Sequence, residues 1–372
     1  MSRLRFGVIG CGGIAQMMHI PHLAAYDEKF EIVALSDTHE PTLTAVADRY
    51  HVTKRYTDWR ALIADPSVEA IGIFHGGSHF ETALAAIQAG KHVFIEKPMG
   101  WNLREVEALA EAARQSTATI QVGYHKLYDP GFQYAKEQVE KMQELGYVRI
   151  TVLHPDDPLG WSTHRVHRGN GVIIEGHNEP GDWDSTVSGT LNGLAGGALS
   201  SLVDEALGDR KDDARLRVAY GMMTVSLIHQ VYTLHGFLGA PQEVVFTDVW
   251  RDGLSINSLI KYSDHLHVSL DWQFLSHLKD YREEYAFFGN HERVYFQLPS
   301  PYMKNFPSPV IVQGHDGELT WEKKVIVNYD EAFRNEILAF YDNITQNKVP
   351  ISNVEEAVKH ARMIQMMIDA AR

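Results

Sequence analysis

A lysine stands at the end of a predicted buried strand, in the tripeptide Glu96-Lys97-Pro98. The preceding residues, 92–95, have the apolar character of a short strand, and Pro98 ends it because proline has no amide proton for the ladder. In open α/β sheets the ligand crevice lies beyond the carboxyl ends of the strands. Partial burial there lowers the pKa of an ammonium group and suits it to proton transfer. Lys97 is therefore a candidate catalytic residue; the alternative is a surface lysine paired with Glu96.

A glycine-rich loop follows the first predicted strand, in the stretch Gly10-Cys-Gly-Gly-Ile-Ala15. In this G-x-G-x-x-A pattern the first glycine allows a tight turn, and the second lets backbone amides approach a pyrophosphate at a helix N-terminus. The small Ala15 lets helix and strand pack closely. Such loops also occur without a ligand, but this one begins a βαβ unit. We predict that Gly10, Gly12, Gly13 and Ile14 contact a dinucleotide.

An aspartate, Asp37, ends the second predicted strand. Its carboxylate is placed to accept hydrogen bonds from an adenosine ribose diol. It would repel a 2′-phosphate, and Arg49 and Arg55 are too far along the chain to overrule it. NAD is therefore favoured over NADP as the cofactor.

The elements that position these residues alternate between strand and helix as far as about Gly123. Strands are predicted over residues 5–9, 30–36, 70–74, 92–95 and 118–123, with helices over 14–26, 41–50, 78–89 and 103–115. This alternation implies right-handed crossovers and a doubly wound parallel sheet. We predict an α/β Rossmann domain that binds NAD over residues 1–123.

The pattern changes in residues 124–372, the predicted substrate-binding and oligomerisation domain. Helices are predicted over 132–145, 215–238, 331–345 and 354–371, with a strand over 147–153. Short alternating runs after residue 242 are separated by Asp-Gly, Ser-Asp, Gly-Asn and Pro-Ser-Pro turns, which favour hairpins. We predict an α+β domain on an open, mainly antiparallel sheet, whose C-terminal helix can pack back on the first domain.

The chain resembles the glucose–fructose oxidoreductase/inositol dehydrogenase (Gfo/Idh/MocA) family over nearly its whole length. The matching motifs are GVIGCGGIAQMMHIPHL, His79, AGKHV, EKP, VGYH and LHGFLGAPQEV. The resemblance implies that Lys97 reaches the active site beside the nicotinamide and hydrogen-bonds the substrate oxygen. It also implies that Glu96 and His79 border the cofactor.

The resemblance points to His229, in SLIHQVYTLHGFLGAP, as a second catalytic and substrate-binding residue. Its ordinary pKa of about 6.5 suits general acid/base work. Family members commonly carry an aspartate four residues before or three residues after this histidine, where this chain has Val225 and Tyr232. The alternative is a hydrogen-bonded histidine between the domains.

Two strand-end loops also depart from the family pattern. Phe74, His75 and Gly76 stand where the family usually has a Thr-Pro pair, and we predict that they lie against the cofactor. His75 as a simple strand-end residue is the alternative. Tyr124, His125 and Lys126 stand near the positions where members often carry Asn and Arg that contact the cofactor or substrate. We carry over all three residues, and assign Tyr124 and His125 to the substrate and His125 also to the cofactor.

A loop-rich insertion, residues 154–184, mixes imidazole, acidic and indole groups. This mixture suits a polyol, because sugars offer hydroxyl networks and apolar ring faces. The predicted substrate contacts are Trp161, His177, Asp182 and Trp183. We expect no metal, since motifs such as H-E-x-x-H and cysteine ligands are missing. A solvated loop without ligand contact is the alternative.

Composition excludes several classes of function. A net charge of −14 argues against nucleic acid as a partner. No apolar run approaches the roughly 18 residues of a membrane span. The single cysteine, Cys11, excludes an intrachain disulfide and fits the cytoplasm.

Alternating strands in residues 262–298 leave a partly aromatic sheet face, which predicts a homodimer or homotetramer.

The expected function is NAD-dependent hydride transfer between nicotinamide and a secondary alcohol of a sugar, polyol or sugar derivative. One alternative is a glycoside-cleaving enzyme that oxidises C3 transiently and then returns the hydride. Another is a non-catalytic regulatory protein that senses a sugar or NAD.

Overall fold

The computed structural model of the protein describes residues 3–155, 164–167, 173–174, 197, 199–275, 278 and 280–372. The chain divides into two compact units. The first unit holds the described residues of Met1–His125, Trp161–Glu179 and Phe333–Val358. The second unit holds those of Lys126–Gly160, Pro180–Ala332 and Lys359–Arg372.

Six parallel strands form the sheet of the first unit. They are β1 (Leu4–Ile9), β2 (Phe30–Ser36), β3 (Lys54–Tyr56), β4 (Ala70–Ile73), β5 (His92–Glu96) and β6 (Ile120–Gly123). Their order is β3-β2-β1-β4-β5-β6, and every neighbouring pair is parallel. The chain therefore winds outward from β1 to one edge and then from β4 to the other, the doubly wound topology.

Helices connect these strands. They are α1 (Ile20–Ala25), α2 (Glu40–Arg49), α3 (Trp59–Ala64), α4 (Phe80–Gln88) and α5 (Leu103–Arg114), and a π-helical segment, Ala15–His19, precedes α1. Side chains cap two of them: Asp58 accepts a hydrogen bond from an amide of α3, and Asn102 accepts one from an amide of α5.

The remaining strands lie after residue 144. They are β7 (Leu145–His154), β8 (Val166–His167), β9 (Ile173–Ile174), β10 (Glu243–Trp250), β11 (Ser255–Lys261), β12 (His267–Phe274), β13 (Arg282–Gly289), β14 (Arg293–Leu298), β15 (Val310–Asp316) and β16 (Leu319–Val325). β8 and β9 form a small antiparallel pair in the first unit. The other eight form one sheet in the order β10-β11-β12-β7-β13-β14-β15-β16. Each neighbouring pair in it is antiparallel except β12–β7.

One face of this sheet carries the core of the second unit. The helices there are α6 (Pro130–Lys141), α7 (Ser200–Leu207), α8 (Ala214–Met222) and α9 (Ile228–Leu238), with a π-helical segment, Met223–Leu227, between the last two. Short 3₁₀ turns occupy His125–Tyr128, Gly208–Arg210 and Arg251–Gly253. The ring of Phe237 in α9 lies 4.7 Å from the rings of Phe132 and Phe287, so helix and strand side chains share one apolar layer.

Two helices close the chain, α10 (Ala332–Thr345) and α11 (Val354–Asp369). Within the first unit, α10 packs on the parallel sheet. The ring of Phe340 lies 6.2 Å from Phe6 of β1 and 5.6 Å from Phe94 of β5. These edge-to-face contacts make α10 part of the first unit's core.

The predicted fold class is confirmed: a Rossmann-type parallel sheet and a separate, mainly antiparallel sheet. Two details differ from the sequence analysis. β3 and α3 were not predicted, and the helix predicted over residues 215–238 is interrupted by its π-helical segment. None of the described helices combines the length and apolar composition needed to cross a bilayer.

Candidate nucleotide and active site

The glycine loop after β1 has the geometry that a dinucleotide requires. Gly10 has a φ of +94°, and a Cβ there would stand 2.3 Å from the backbone nitrogen of His75, so a larger residue does not fit. At Gly12, an added Cβ would meet no described atom within 4 Å. The chain is thus tightly packed at the first glycine and open at the second, where a pyrophosphate would approach.

Asp37 follows β2, and its carboxylate holds two backbone amides. Oδ2 accepts a hydrogen bond from the amide of Cys11 at 2.7 Å, and Oδ1 accepts one from the amide of His39 at 2.8 Å. These bonds fix the carboxylate beside the glycine loop. Each oxygen keeps accepting capacity for a ribose hydroxyl, since a carboxylate has about four lone-pair sites.

Part of the loop-rich insertion, β8, contacts the glycine loop. The side-chain amide of Gln16 donates to the carbonyl of Cys11 at 2.8 Å and to that of His167 at 2.9 Å. The backbone amide of His167 donates to Gln16 Oε1 at 2.8 Å. Gln16 therefore links the nucleotide loop to a segment 151 residues away, a contact that no local sequence pattern indicates.

The glutamate of the EKP tripeptide is buried, with both oxygens bonded. Glu96 Oε1 lies 2.7 Å from His19 Nε2, and Oε2 accepts a hydrogen bond from the backbone amide of Lys97 at 2.9 Å. Burial opposes ionisation of Glu96, but the hydrogen bond from His19 and the nearby charge of Lys97 outweigh it and hold its pKa below the usual value. Glu96 is thus a buried anion that fixes His19 and the backbone of Lys97.

A second buried histidine, His79, joins the loops that follow β4 and β5. Its Nδ1 lies 2.8 Å from the carbonyl oxygen of Pro98, and its Nε2 lies 2.7 Å from that of His75. Burial, with a contribution from His75, lowers the pKa of His79. The neutral ring donates to one of these carbonyls at a time. The EKP turn is therefore held against the loop at His75.

Aromatic stacking supports the same edge of the sheet. The ring of His19 stacks on Phe74 after β4 at 4.0 Å, and the ring of His125 after β6 stacks on Phe333 at 4.0 Å. Tyr124 is also buried, and burial raises the pKa of its hydroxyl. The predicted residues Phe74, Tyr124 and His125 are therefore buried at the strand ends.

Lys97 directly follows β5 and is half-buried. Its peptide bond to Pro98 is cis. Because all six strands are parallel, Lys97 lies at the same carboxyl edge of the sheet as Gly10 and Asp37. This is the edge at which open α/β sheets bind ligands.

The second unit positions His229 on the first turn of α9. His229 Nδ1 lies 2.8 Å from the hydroxyl of Tyr232, and the hydroxyl of Thr233 donates to the His229 carbonyl at 2.7 Å. Val225 lies in the π-helical segment before α9. At the position three residues after the histidine, where the resemblance implies an aspartate, this chain thus supplies a phenol as hydrogen-bond partner.

The sequence profile of GFO_IDH_MocA, an oxidoreductase family with an NAD-binding Rossmann fold, matches residues 4–124. This range contains the glycine loop, Asp37 and the EKP tripeptide. Residues 4–124 belong to the Gfo/Idh/MocA oxidoreductase family. Over these residues the family predicted from the sequence is confirmed, together with its NAD(P)-binding fold.

Two related proteins illustrate the similarity in sequence. The chain is 29% identical to myo-inositol 2-dehydrogenase of Thermotoga maritima over 210 residues, which are 56% of this chain and 62% of that protein. It is 28% identical to 1,5-anhydro-D-fructose reductase of Ensifer adhaerens over 176 residues, 46% of this chain and 52% of that protein. The match thus spans less than two thirds of each relative's length.

A solved structure extends the similarity in fold over both units. It is that of a 3-ketoreductase from Actinomadura kijaniata in complex with NADP, which covers 100% of this chain and 98% of its own, with a TM-score of 0.71. The sequence identity is 17%, so this likeness shows the fold alone.

Lys126, adjacent to the family's VGYH motif, belongs to the second unit and forms a buried ion pair. Its Nζ lies 2.5 Å from Glu283 Oε2, and the side chains are 2% and 0% exposed. The hydroxyls of Tyr281 and Tyr285 donate to the same carboxylate at 2.5 and 2.7 Å. These contacts assign Lys126 a structural role.

Four predicted substrate contacts, Trp161, His177, Asp182 and Trp183, lie outside the described residues. The expected absence of a metal also stays a prediction. In the second unit, the rings of His235 and His360 lie 4.9 Å apart.

Proposed function

We propose that this chain transfers a hydride between a nicotinamide dinucleotide and a secondary alcohol of a sugar, polyol or sugar derivative. The observation that carries the proposal is the shared carboxyl edge of the parallel sheet, where Gly10 follows β1, Asp37 follows β2 and Lys97 follows β5. The open backbone at Gly12 and the fixed carboxylate of Asp37 fit the pyrophosphate and ribose of a dinucleotide.

When bound, the nicotinamide ring supplies or accepts the hydride. The protein must then stabilise charge on the substrate oxygen and move one proton. We assign the first task to the ammonium of Lys97, which donates a hydrogen bond to the oxygen that becomes, or stops being, a carbonyl. We assign the proton to His229, with the hydroxyl of Tyr232 orienting its ring through Nδ1.

We propose NAD rather than NADP as the cofactor. A 2′-phosphate would meet the carboxylate of Asp37, which two backbone amides hold in place. The two arginines nearest in sequence have other partners: Arg55 pairs with Asp48 at 2.5 Å, and Arg49 donates to the carbonyl of Arg165 at 3.2 Å. The 3-ketoreductase of the same fold was solved with NADP, so the choice needs its own measurement.

The substrate class is supported by the relatives' names, which specify inositol and anhydrofructose. We propose a cyclic polyol or sugar, because the sequence of the insertion, residues 154–184, combines indole, imidazole and acidic side chains. We also propose a homo-oligomer formed through the sheet of the second unit, where Tyr147 and Trp250 are about two-fifths exposed. Light scattering that gives a 42 kDa particle would contradict the oligomer.

The deciding experiment screens inositols, sugars and their ketones for oxidation with NAD or reduction with NADH, following the absorbance of the reduced nicotinamide. We expect turnover with at least one cyclic compound, and a rate lower by about 10²–10⁴-fold with the Lys97→Ala protein. Tight NAD binding without turnover of any compound, in either direction, would instead support the regulatory alternative.

A further inference from the structure

The first unit buries a carboxyl group that the proposed mechanism does not use. Glu336, on α10, is 0% exposed, and neither of its carboxyl oxygens has a hydrogen-bond partner among the described residues. Its backbone carbonyl accepts a hydrogen bond from the side chain of Gln121 at 3.0 Å. A buried carboxylate without donors is costly, and such a group takes up a proton instead.

The position of Glu336 connects it to the candidate site. Gln121 lies on β6, whose last residue, Gly123, pairs with Glu96 of β5. One turn before Glu336, the ring of Phe333 packs on His125 at 4.0 Å and on His19 at 5.5 Å. Glu336 therefore belongs to the buried layer that contains the His19–Glu96 pair.

The two carboxyl groups of this layer have opposite surroundings. Glu96 has two donors, the ring of His19 and the backbone amide of Lys97. Burial, together with the negative charge of Glu96, raises the pKa of Glu336 well above its usual value. The elements that pack on α10 near Glu336 carry the titratable groups His19, Glu96, its neighbour Lys97, and His125. On α10 itself, Arg334 is the charged group near Glu336. One proton shared between two like charges goes to the carboxyl group that lacks donors.

We propose that Glu336 is a positioning residue of the active site: a neutral carboxylic acid that leaves Glu96 as the anion of this layer. Loss of its proton would set a second negative charge against Glu96. The repulsion would push the Glu96 carboxylate away from its hydrogen-bond donors, the ring of His19 and the backbone amide of Lys97. The inference rests on the proposed function, because it assumes that the positioned residue, Lys97, is catalytic.

Stability as a function of pH tests the protonation state without requiring activity. If the pKa of Glu336 is raised in the folded protein, wild type loses stability as the pH rises above the unfolded value of about 4.5. Glu336→Gln removes that loss. We expect its melting temperature to exceed that of wild type by roughly 2–4 °C or more near pH 8, and this gain to shrink towards about pH 5.

Glu105→Gln is the matched control. Glu105 is another buried glutamate of the first unit, but its Oε2 accepts hydrogen bonds from Ser78 Oγ and the Trp101 amide, both at 2.9 Å. We expect no alkaline gain in this variant. We also expect Glu96→Gln to reduce the gain from Glu336→Gln, because the like charge is gone. A Glu336→Gln protein that melts below wild type near pH 8 but not near pH 5 would overturn the proposal, since it would show an ionised Glu336.

The positioning role has a separate readout, the alkaline limb of the pH profile. Relative to each protein's own rate near neutrality, we expect the single-turnover rate of Glu336→Gln to persist to higher pH than that of wild type. An unmoved alkaline limb would overturn the positioning role even if the stability result holds. If no substrate is found, the proposed function and the positioning role both fail, while the melting temperatures still decide whether Glu336 is protonated.

Discussion

Two buried glutamates, Glu283 in the second unit and Glu96 in the first, have different surroundings. In the second unit, Glu283 accepts hydrogen bonds from an ammonium group and two tyrosine hydroxyls, all on side chains of that unit. In the first unit, Glu96 forms hydrogen bonds with the imidazole of His19 and with the backbone amide of Lys97. Glu283 closes a network of side chains, whereas Glu96 fixes the backbone at the ligand-binding edge of a sheet. Burial alone therefore does not mark a glutamate as part of a ligand site. Glu96 is associated with one because it holds the backbone of Lys97.

The largest expected effect on stability is at the buried Lys126–Glu283 network of the second unit. Lys126→Met leaves Glu283 buried without its cation, and we expect the free energy of unfolding to fall by about 3–5 kcal/mol. Denaturant unfolding measures this loss, and NAD affinity should stay the same. The double variant with Glu283→Gln should recover most of the stability. A loss near zero for Lys126→Met would remove the contrast between the two units.

Glu96→Gln should lose less, about 1–3 kcal/mol at neutral pH, because a buried imidazole loses its charged partner. The pKa of Glu96 is lowered in the folded protein. The stabilisation from its charge is therefore fully present at a pH above the pKa of Glu96 in the unfolded chain, and it is lost as the pH falls through the pKa in the folded protein. The difference from wild type should therefore shrink below about pH 4.5. Thermal unfolding across pH measures it, and a constant difference would contradict an ionised Glu96.

Asp37→Asn tests the proposal that the carboxylate of Asp37 favours NAD over NADP. Removal of one negative charge should narrow the preference for NAD over NADP by up to about tenfold, on the order of 1 kcal/mol. Calorimetric titration with both nucleotides measures the ratio. Asp58→Asn, the same change at an exposed ion pair that the cofactor argument does not use, is the control. Wild-type protein that binds NADP as tightly as NAD would refute the cofactor assignment.

The smallest expected effect concerns the histidine of the second unit. Tyr232→Phe removes one neutral hydrogen bond, of about 0.5–1.5 kcal/mol, from His229 Nδ1. We expect turnover to fall by less than tenfold and the pH profile to shift. An unchanged pH profile would show that Tyr232 does not tune His229.

The strand-end elements were predictable because their chemistry is local. The glycine loop, Asp37 and Lys97 each follow a short apolar strand, and parallel strands bring their carboxyl ends to one edge. The partners that fix them were not predictable. His19 and Glu96 are 77 residues apart, and Lys126 and Glu283 are 157 apart. Such pairs depend on tertiary packing, which helical or strand periodicity does not encode.

Two further features escaped prediction for related reasons. The π-helical segment that holds Val225 keeps the apolar spacing of an ordinary helix, so the pattern predicts one uninterrupted helix. Glu336 stands in a helix with an apolar face, and a glutamate in such a pattern is expected at the surface. Its burial follows from the packing of α10 on the sheet of the first unit, which the sequence pattern does not specify.

The central claim is that Lys97 is held at the strand end to polarise a substrate oxygen, and single-turnover hydride transfer by Lys97→Ala tests it most directly. NAD affinity should change little, because Gly10, Gly12 and Asp37 are untouched. The rate should fall by about 10²–10⁴-fold, and Lys97→Arg should rescue it poorly because a guanidinium holds its proton too tightly. A Lys97→Ala protein that transfers hydride at nearly the wild-type rate would contradict the account.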